Sequence, residues 1–89
     1  MVLREKLKNV RMSKGEGMAS YLTKITEVRD KILVVGYVIG NAEMVCSALN
    51  GMTQQWTVFV QTIIGRENMP TWDRLWGDLT QEETRRGYL

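Results

Sequence analysis

Between Met18 and Ile39 the apolar residues recur as Met18, Tyr21, Ile25, Val28, Ile32, Val35 and Ile39. The steps alternate between three and four, and Leu22 and Leu33 widen the stripe. A period near 3.6 held over about five turns defines one amphipathic helix with a broad face to bury. Thr23, Lys24, Glu27 and Asp30 fall off the stripe and face water. Gly36 is the expected stop, because the residue past a helix end often takes positive φ. A helix of this length cannot bury its face alone, so the flanking segments must pack on it.

The flanking segments read as helices too. Leu3, Leu7 and Val10 mark one face of a short basic helix over 2–12. Ser13-Lys14-Gly15-Glu16-Gly17 then breaks it, since closely spaced glycines favour turns. Ser13 and Glu16 match a capping box in form, but their glycine neighbours argue against that register and leave Gly17 as the expected cap. Asn41 is the expected N-cap of a helix over 42–49, with Val45, Ala48 and Leu49 inward and Asn50-Gly51 closing it. Thr53 is the expected cap of a helix over 53–64, in which Met52, Trp56, Phe59, Val60, Ile63 and Ile64 fall at helical spacing. A buried strand from Trp56 to Ile64 is the rival, but Gln61 and Thr62 break any alternation. After the loop from Arg66 to Pro70, Thr71 caps a last helix over 71–86. Asp73 suits its first turn, and Trp72, Leu75, Trp76 and Leu79 form its inner face. Gly77 is expected to mark close helix packing. Thr80 and Glu83 match a second capping box, so this helix either restarts there or runs on to Arg86, pairing Glu82 with Arg86. Five helices with short connections make an all-α, compact five-helix bundle. It forms one domain over 1–89, with a basic lead helix and Gly-rich turn over 1–17 and the main bundle over 18–89.

Little reaction chemistry is on offer. The chain has no histidine and a single cysteine. That removes the commonest general base, the Ser–His and Cys–His pairs and every zinc-knuckle pattern. Cys46 reads as a small buried residue, and alone it forms no internal disulfide. No Gly-rich phosphate loop precedes a Lys-Ser/Thr. Glu82 and Glu83 are adjacent, so their carboxylates diverge by about 100° on a helix and are expected to be solvated. Catalysis, a cofactor, a metal and a small-molecule substrate are therefore not expected. No apolar run is long enough to span a membrane. Met1 to Lys14 lacks the apolar core of a secretory signal, so a reducing, cytoplasmic setting is expected.

Charge is unevenly placed. The net charge is +2, yet residues 1–14 hold five Lys or Arg against one Glu. Arg4, Lys6, Lys8, Arg11 and Lys14 are thus candidate RNA contacts, with a merely solvated helix face as the alternative. Trp56, Trp72 and Trp76 lie on apolar stripes and read as core, not as a base-stacking platform, although Trp72 and Trp76 can reach an interface.

Five blocks in order resemble the capsid portion of Gag from copia-type long-terminal-repeat retrotransposons. The basic helix ends in a Leu-x-x-Met-like step, here Leu7 to Met12. A Gly-rich turn precedes a Tyr-Leu helix start, here Gly15 to Leu22. The long helix closes as Leu-x-x-x-Gly-x-x-Ile, here Ile32 to Ile39. A Leu-Leu-x-Gly-Leu-Pro-x-x-Tyr-x-x-Phe-Val block is matched by Ala48 to Val60. A Leu-x-x-Glu-Glu-x-Arg-Arg ending is matched by Leu79 to Arg86. Thr53 stands where the family has proline, Gly17 where it has a Ser cap, and Gly77 interrupts the last helix. The family's zinc knuckle and its protease, integrase and polymerase modules have no match in these 89 residues.

The resemblance implies a fold similar to a capsid C-terminal domain. It also implies a structural role: self-association, homodimer contacts within a virus-like particle, and packaging of RNA. The dimer contact maps onto Ala42 to Leu49, with Glu43, Met44, Ser47 and Asn50 as the outward positions. A surface methionine suits a symmetric self-contact. An RNA-binding helical module and a host-domesticated helical adaptor are the alternatives.

Overall fold

The computed structural model describes residues 2–87. Over these the chain is helical and forms no strand. The elements are α1 (Val2–Lys8), α2 (Met18–Val34), α3 (Asn41–Asn50), a 3₁₀ turn (Gln54–Trp56), α4 (Thr57–Ile64) and α5 (Trp72–Arg85). The segment with strand as its rival is helix, so the all-α reading stands.

α2 is the hub. Met18, Tyr21, Leu22, Ile25, Val28 and Ile32 are buried along one face. That face packs against α1, α3 and α5, and α3 also touches α1 and α5. Leu7 of α1, Val45 and Ala48 of α3, and Leu75 and Leu79 of α5 meet it with no exposed surface. Burial of each Leu- or Ile-sized side chain contributes about 2 kcal/mol. α4 is anchored at its edges by Trp56 and Ile63, while Val58 and Ile64 remain exposed.

α1 is shorter than its pattern predicts, ending at Lys8 and not at residue 12. Tertiary hydrogen bonding competes with the helix there. The Met12 amide donates to the Gly51 carbonyl at 2.7 Å, pulling residues 9–12 onto the end of α3. The Arg11 guanidinium satisfies the Lys8 carbonyl at 2.7 Å, as the end of a helix requires.

α2 ends at Val34. Gly36 stops it as expected, with φ +95°. Its amide donates to the Leu33 carbonyl at 3.0 Å and the Tyr37 amide donates to Ile32 at 3.3 Å. This nested pair is the Schellman closure, and it needs a residue without Cβ strain at Gly36. Leu33 does not widen the buried stripe; it is exposed, as is Val35.

α3 begins one residue early, with Gly40 as its N-cap. Asn41 caps a different helix. Its Oδ1 accepts from the Trp72 amide at 2.7 Å and its Nδ2 donates to the Pro70 carbonyl at 2.9 Å, tying α3 to the start of α5. Thr71 caps α5 as expected, accepting from the Arg74 amide at 3.2 Å. Thr53 opens the 3₁₀ turn but gives it no side-chain cap. α5 runs unbroken through Thr80, whose hydroxyl returns to Trp76 at 2.9 Å. Gly77 does not mark close packing, because a Cβ there would meet open space. Cys46 is exposed, contrary to expectation, because it lies on the outer face of α3.

Candidate functional site

The four α3 positions expected to face outward divide. Asn50 is exposed and Glu43 is half-buried, but Met44 and Ser47 are only 2% and 4% exposed. The burial is physical: on this short helix the apolar arc includes Met44 with Val45, Ala48 and Leu49, and it turns Ser47 under α2. The Tyr21 hydroxyl of α2 reaches the Ala48 carbonyl at 2.7 Å and approaches that of Ser47. The face α3 actually presents is Asn41, Ala42, Cys46 and Asn50.

The five N-terminal cations also divide. The Arg4 Nε lies 3.5 Å from the Glu43 carboxylate, an ion pair without a hydrogen bond. Arg11 is engaged with the end of α1. Lys6, Lys8 and Lys14 are exposed. The available basic surface is therefore these three lysines, with Arg11 exposed but committed.

The densest polar construction surrounds the start of α2. Gly17 has no side chain to cap it, and the Glu83 carboxylate of α5 does so instead, accepting from the Met18 amide at 2.6 Å. Glu16 closes the preceding turn by accepting from the Ser13 amide at 2.8 Å. It also accepts from the Ser20 hydroxyl at 2.8 Å and the Lys24 ammonium at 2.9 Å. Desolvation opposes the Glu16 charge, yet the bonds from Ser13, Lys24 and Ser20 hold its pKa below the usual value. Lys24 in turn donates to the Arg11 carbonyl at 2.9 Å. Tyr21 is fully buried, and burial raises its phenol pKa. Gly51 lies against it: a Cβ there would collide with the Tyr21 hydroxyl and the Val10 carbonyl. Gly51 has φ −97°, so close approach is the reason for glycine, not the conformation of a helix stop.

Glu82 and Glu83 are not a solvated pair. Glu82 is 9% exposed and binds Arg85 at 2.6 Å and Arg86 at 2.8 Å, so the expected Glu82–Arg86 pair is present. Hydrogen bonds from Arg85 and then Arg86 lower its pKa to about 2. Arg86 also stacks on Trp56, 4.2 Å from the ring centroid, and donates to the Gln55 carbonyl at 3.0 Å. The carboxylates thus hold α5 to α2 and to the turn before α4.

Several clefts indent the surface of the described residues, and two of them lie near the features above. One, of about 420 Å³, lies between the 13–17 turn, Trp56 and Glu83. The other, of about 390 Å³, runs between α3 and α4 and is lined by Cys46, Leu49, Ile63, Ile64 and Met69. Among the described residues no group of three or more His, Cys, Asp and Glu is placed to hold a metal ion. Among the described residues no helix is long and apolar enough to cross a membrane.

The surface that sequence reasoning missed is the far end of α2. Every residue from 33 to 38 is exposed, with Val34 at 86%, Val38 at 77% and Tyr37 at 53%. A signal was present: Ile32-Leu33-Val34-Val35 is four consecutive apolar residues, and a helix cannot turn all four to one side. Glu83 left no such signal, because its partner is 65 residues away.

Fold and surfaces together define a small all-α domain whose buried polar groups act as fasteners. Residues 1–88 match the family model of the gag-polypeptide of LTR copia-type, and the chain belongs to that family. No curated protein and no solved structure gives a significant match to the chain.

Proposed function

We propose that this chain is a structural, non-catalytic Gag domain that self-associates and supplies contacts between copies in an RNA-enclosing particle. The observation that carries this reading is the gag-polypeptide match over nearly the entire chain. The uncovered apolar end of α2 supports it, because a small folded domain rarely leaves so many large apolar groups adjacent and wet without a partner. An exposed free Cys46 suits a reducing, cytoplasmic setting. Sedimentation velocity with light scattering, from about 10 to about 500 µM, tests the reading. The expected result is a mass that rises with concentration above the 10.3 kDa of one chain. A constant monomer mass throughout contradicts it.

RNA contact is a second reading, favoured by the exposure of Lys6, Lys8 and Lys14. Three phosphate contacts on single-stranded RNA give a salt slope of about −2. Replacing the three lysines with alanine should flatten it. Binding that is absent, or insensitive to salt in the unsubstituted chain, removes this reading.

A further inference from the structure

We infer that the end of α2 and the connector after it, Leu33 to Val38, is the surface on which a second copy of this chain docks, about a two-fold axis. The inference rests on the self-association proposed above and names where it occurs.

Leu33, Val34, Val35, Tyr37 and Val38 are each about half exposed or more. They are not carried on a loose tail. The turn at Gly36 is closed by two backbone hydrogen bonds, and Ile39 beyond it is buried, so both ends of the segment are fastened. A surface held in shape before contact loses less entropy on docking.

Three features select a second copy as the occupant. The first is charge. A two-fold axis sets each residue near its own counterpart, so any charge close to the axis would face itself. The segment from Ile32 to Ala42 contains no charged residue. The second is Tyr37, whose hydroxyl both donates and accepts, so it can bond to its own copy. The third is area. Five side chains of this size at these exposures present on the order of 500 Å². Two copies can remove at most about 1,000 Å², because Leu33 and Val35 lie about 200° apart around α2; an area at or below the lower bound of a specific interface fits a weak contact repeated many times. A lipid surface would instead be served by free cations beside the apolar tip. Arg29 is paired with Asp30 at 3.1 Å, and Lys31 stands exposed beside the tip as one cation, where a lipid surface would draw on a cluster of them.

The test is sedimentation equilibrium on the unsubstituted chain and on a Val34→Lys, Val38→Lys variant. Lysine suits the C-terminal end of a helix, so α2 is retained; circular dichroism and thermal unfolding check this. Like charges across the axis should weaken association about tenfold or more. A second readout is a Cys46→Ser, Val38→Cys variant, which should form a disulfide-linked dimer under mild oxidation, at a rate that rises with protein concentration. Association left unchanged by the lysines, with no such cross-link, overturns this surface while the self-associating function stands. A chain that stays monomeric at all concentrations overturns both. Flotation of the monomer with neutral vesicles, lost in the lysine variant, overturns the second copy in favour of lipid.

Discussion

The two ends of α2 are built on opposite plans. At its start, a carboxylate from α5 caps the helix, Glu16 and Lys24 close the preceding turn, and Tyr21 is pressed against a glycine. At its end, past Ile32, four large apolar side chains and Tyr37 stand in water around a closed turn. Both ends belong to one apolar pattern in the sequence. The difference is supply: the start is surrounded by α1, α5 and the end of α3, whereas the end extends beyond them. One end of the helix stabilises the monomer, and the other stands bare, where the docking proposed above would take place.

The largest effect should come from filling the space under Tyr21. Gly51→Ala forces a Cβ into the Tyr21 hydroxyl and the Val10 carbonyl, and the backbone cannot yield cheaply. A loss of about 3 kcal/mol is expected in urea unfolding. A loss below about 1 kcal/mol would show that this end is loosely packed and break the contrast.

Removing the long-range cap comes next. Glu83→Ala leaves the Met18 amide without its acceptor, for a loss of about 1.5 kcal/mol. Amide exchange should quicken at the first turn of α2 and stay unchanged near Val34.

Lowering the pH tests the neighbouring fastener. The Glu82 pKa falls from 4.5 to about 2 on folding, under hydrogen bonds from Arg85 and Arg86. A depressed folded pKa gives stability that is complete above the unfolded value and is lost as pH falls toward the folded one. Stability should therefore decline between about 4.5 and about 2. Glu82→Gln should make that decline shallower. Equal slopes for the two proteins would show that the Arg85 and Arg86 contacts do not survive in solution.

A change at neither end sets the scale. Gly77→Ala adds a methyl group to open space in the middle of α5 and should stabilise the chain by about 0.8 kcal/mol in the same unfolding assay. The smallest effect belongs to the bare end. Val34→Lys with Val38→Lys should alter monomer stability by less than about 0.5 kcal/mol, measured at low concentration. A cost of several kcal/mol would mean that these side chains are packed within the monomer.

Much of this was legible in the residues. Helix period located α2, Thr71 marked the start of α5, and Gly36 marked the end of α2, because each is a local signal. The inward set Val45, Ala48 and Leu49 was also legible. Period alone does not show how wide the buried arc of α3 is, so Met44 and Ser47 read as outward although both are covered. Asn41 and Glu83 look like caps for their own helices and serve others, since a hydrogen bond across the fold leaves no trace in neighbouring residues. Gly51 reads in sequence as a helix stop and Gly77 as a packing glycine, yet the close contact is at Gly51. One sits beneath a tyrosine and the other faces water, and only the packing shows which is which.

The most direct test of the contrast follows backbone amide resonances as the protein is concentrated from about 20 to about 500 µM. Concentration-dependent shifts should gather between Lys31 and Asn41, while the amides from Glu16 to Lys24 hold still. Shifts confined to α3, or no shift anywhere, would contradict a docking surface at the bare end of α2.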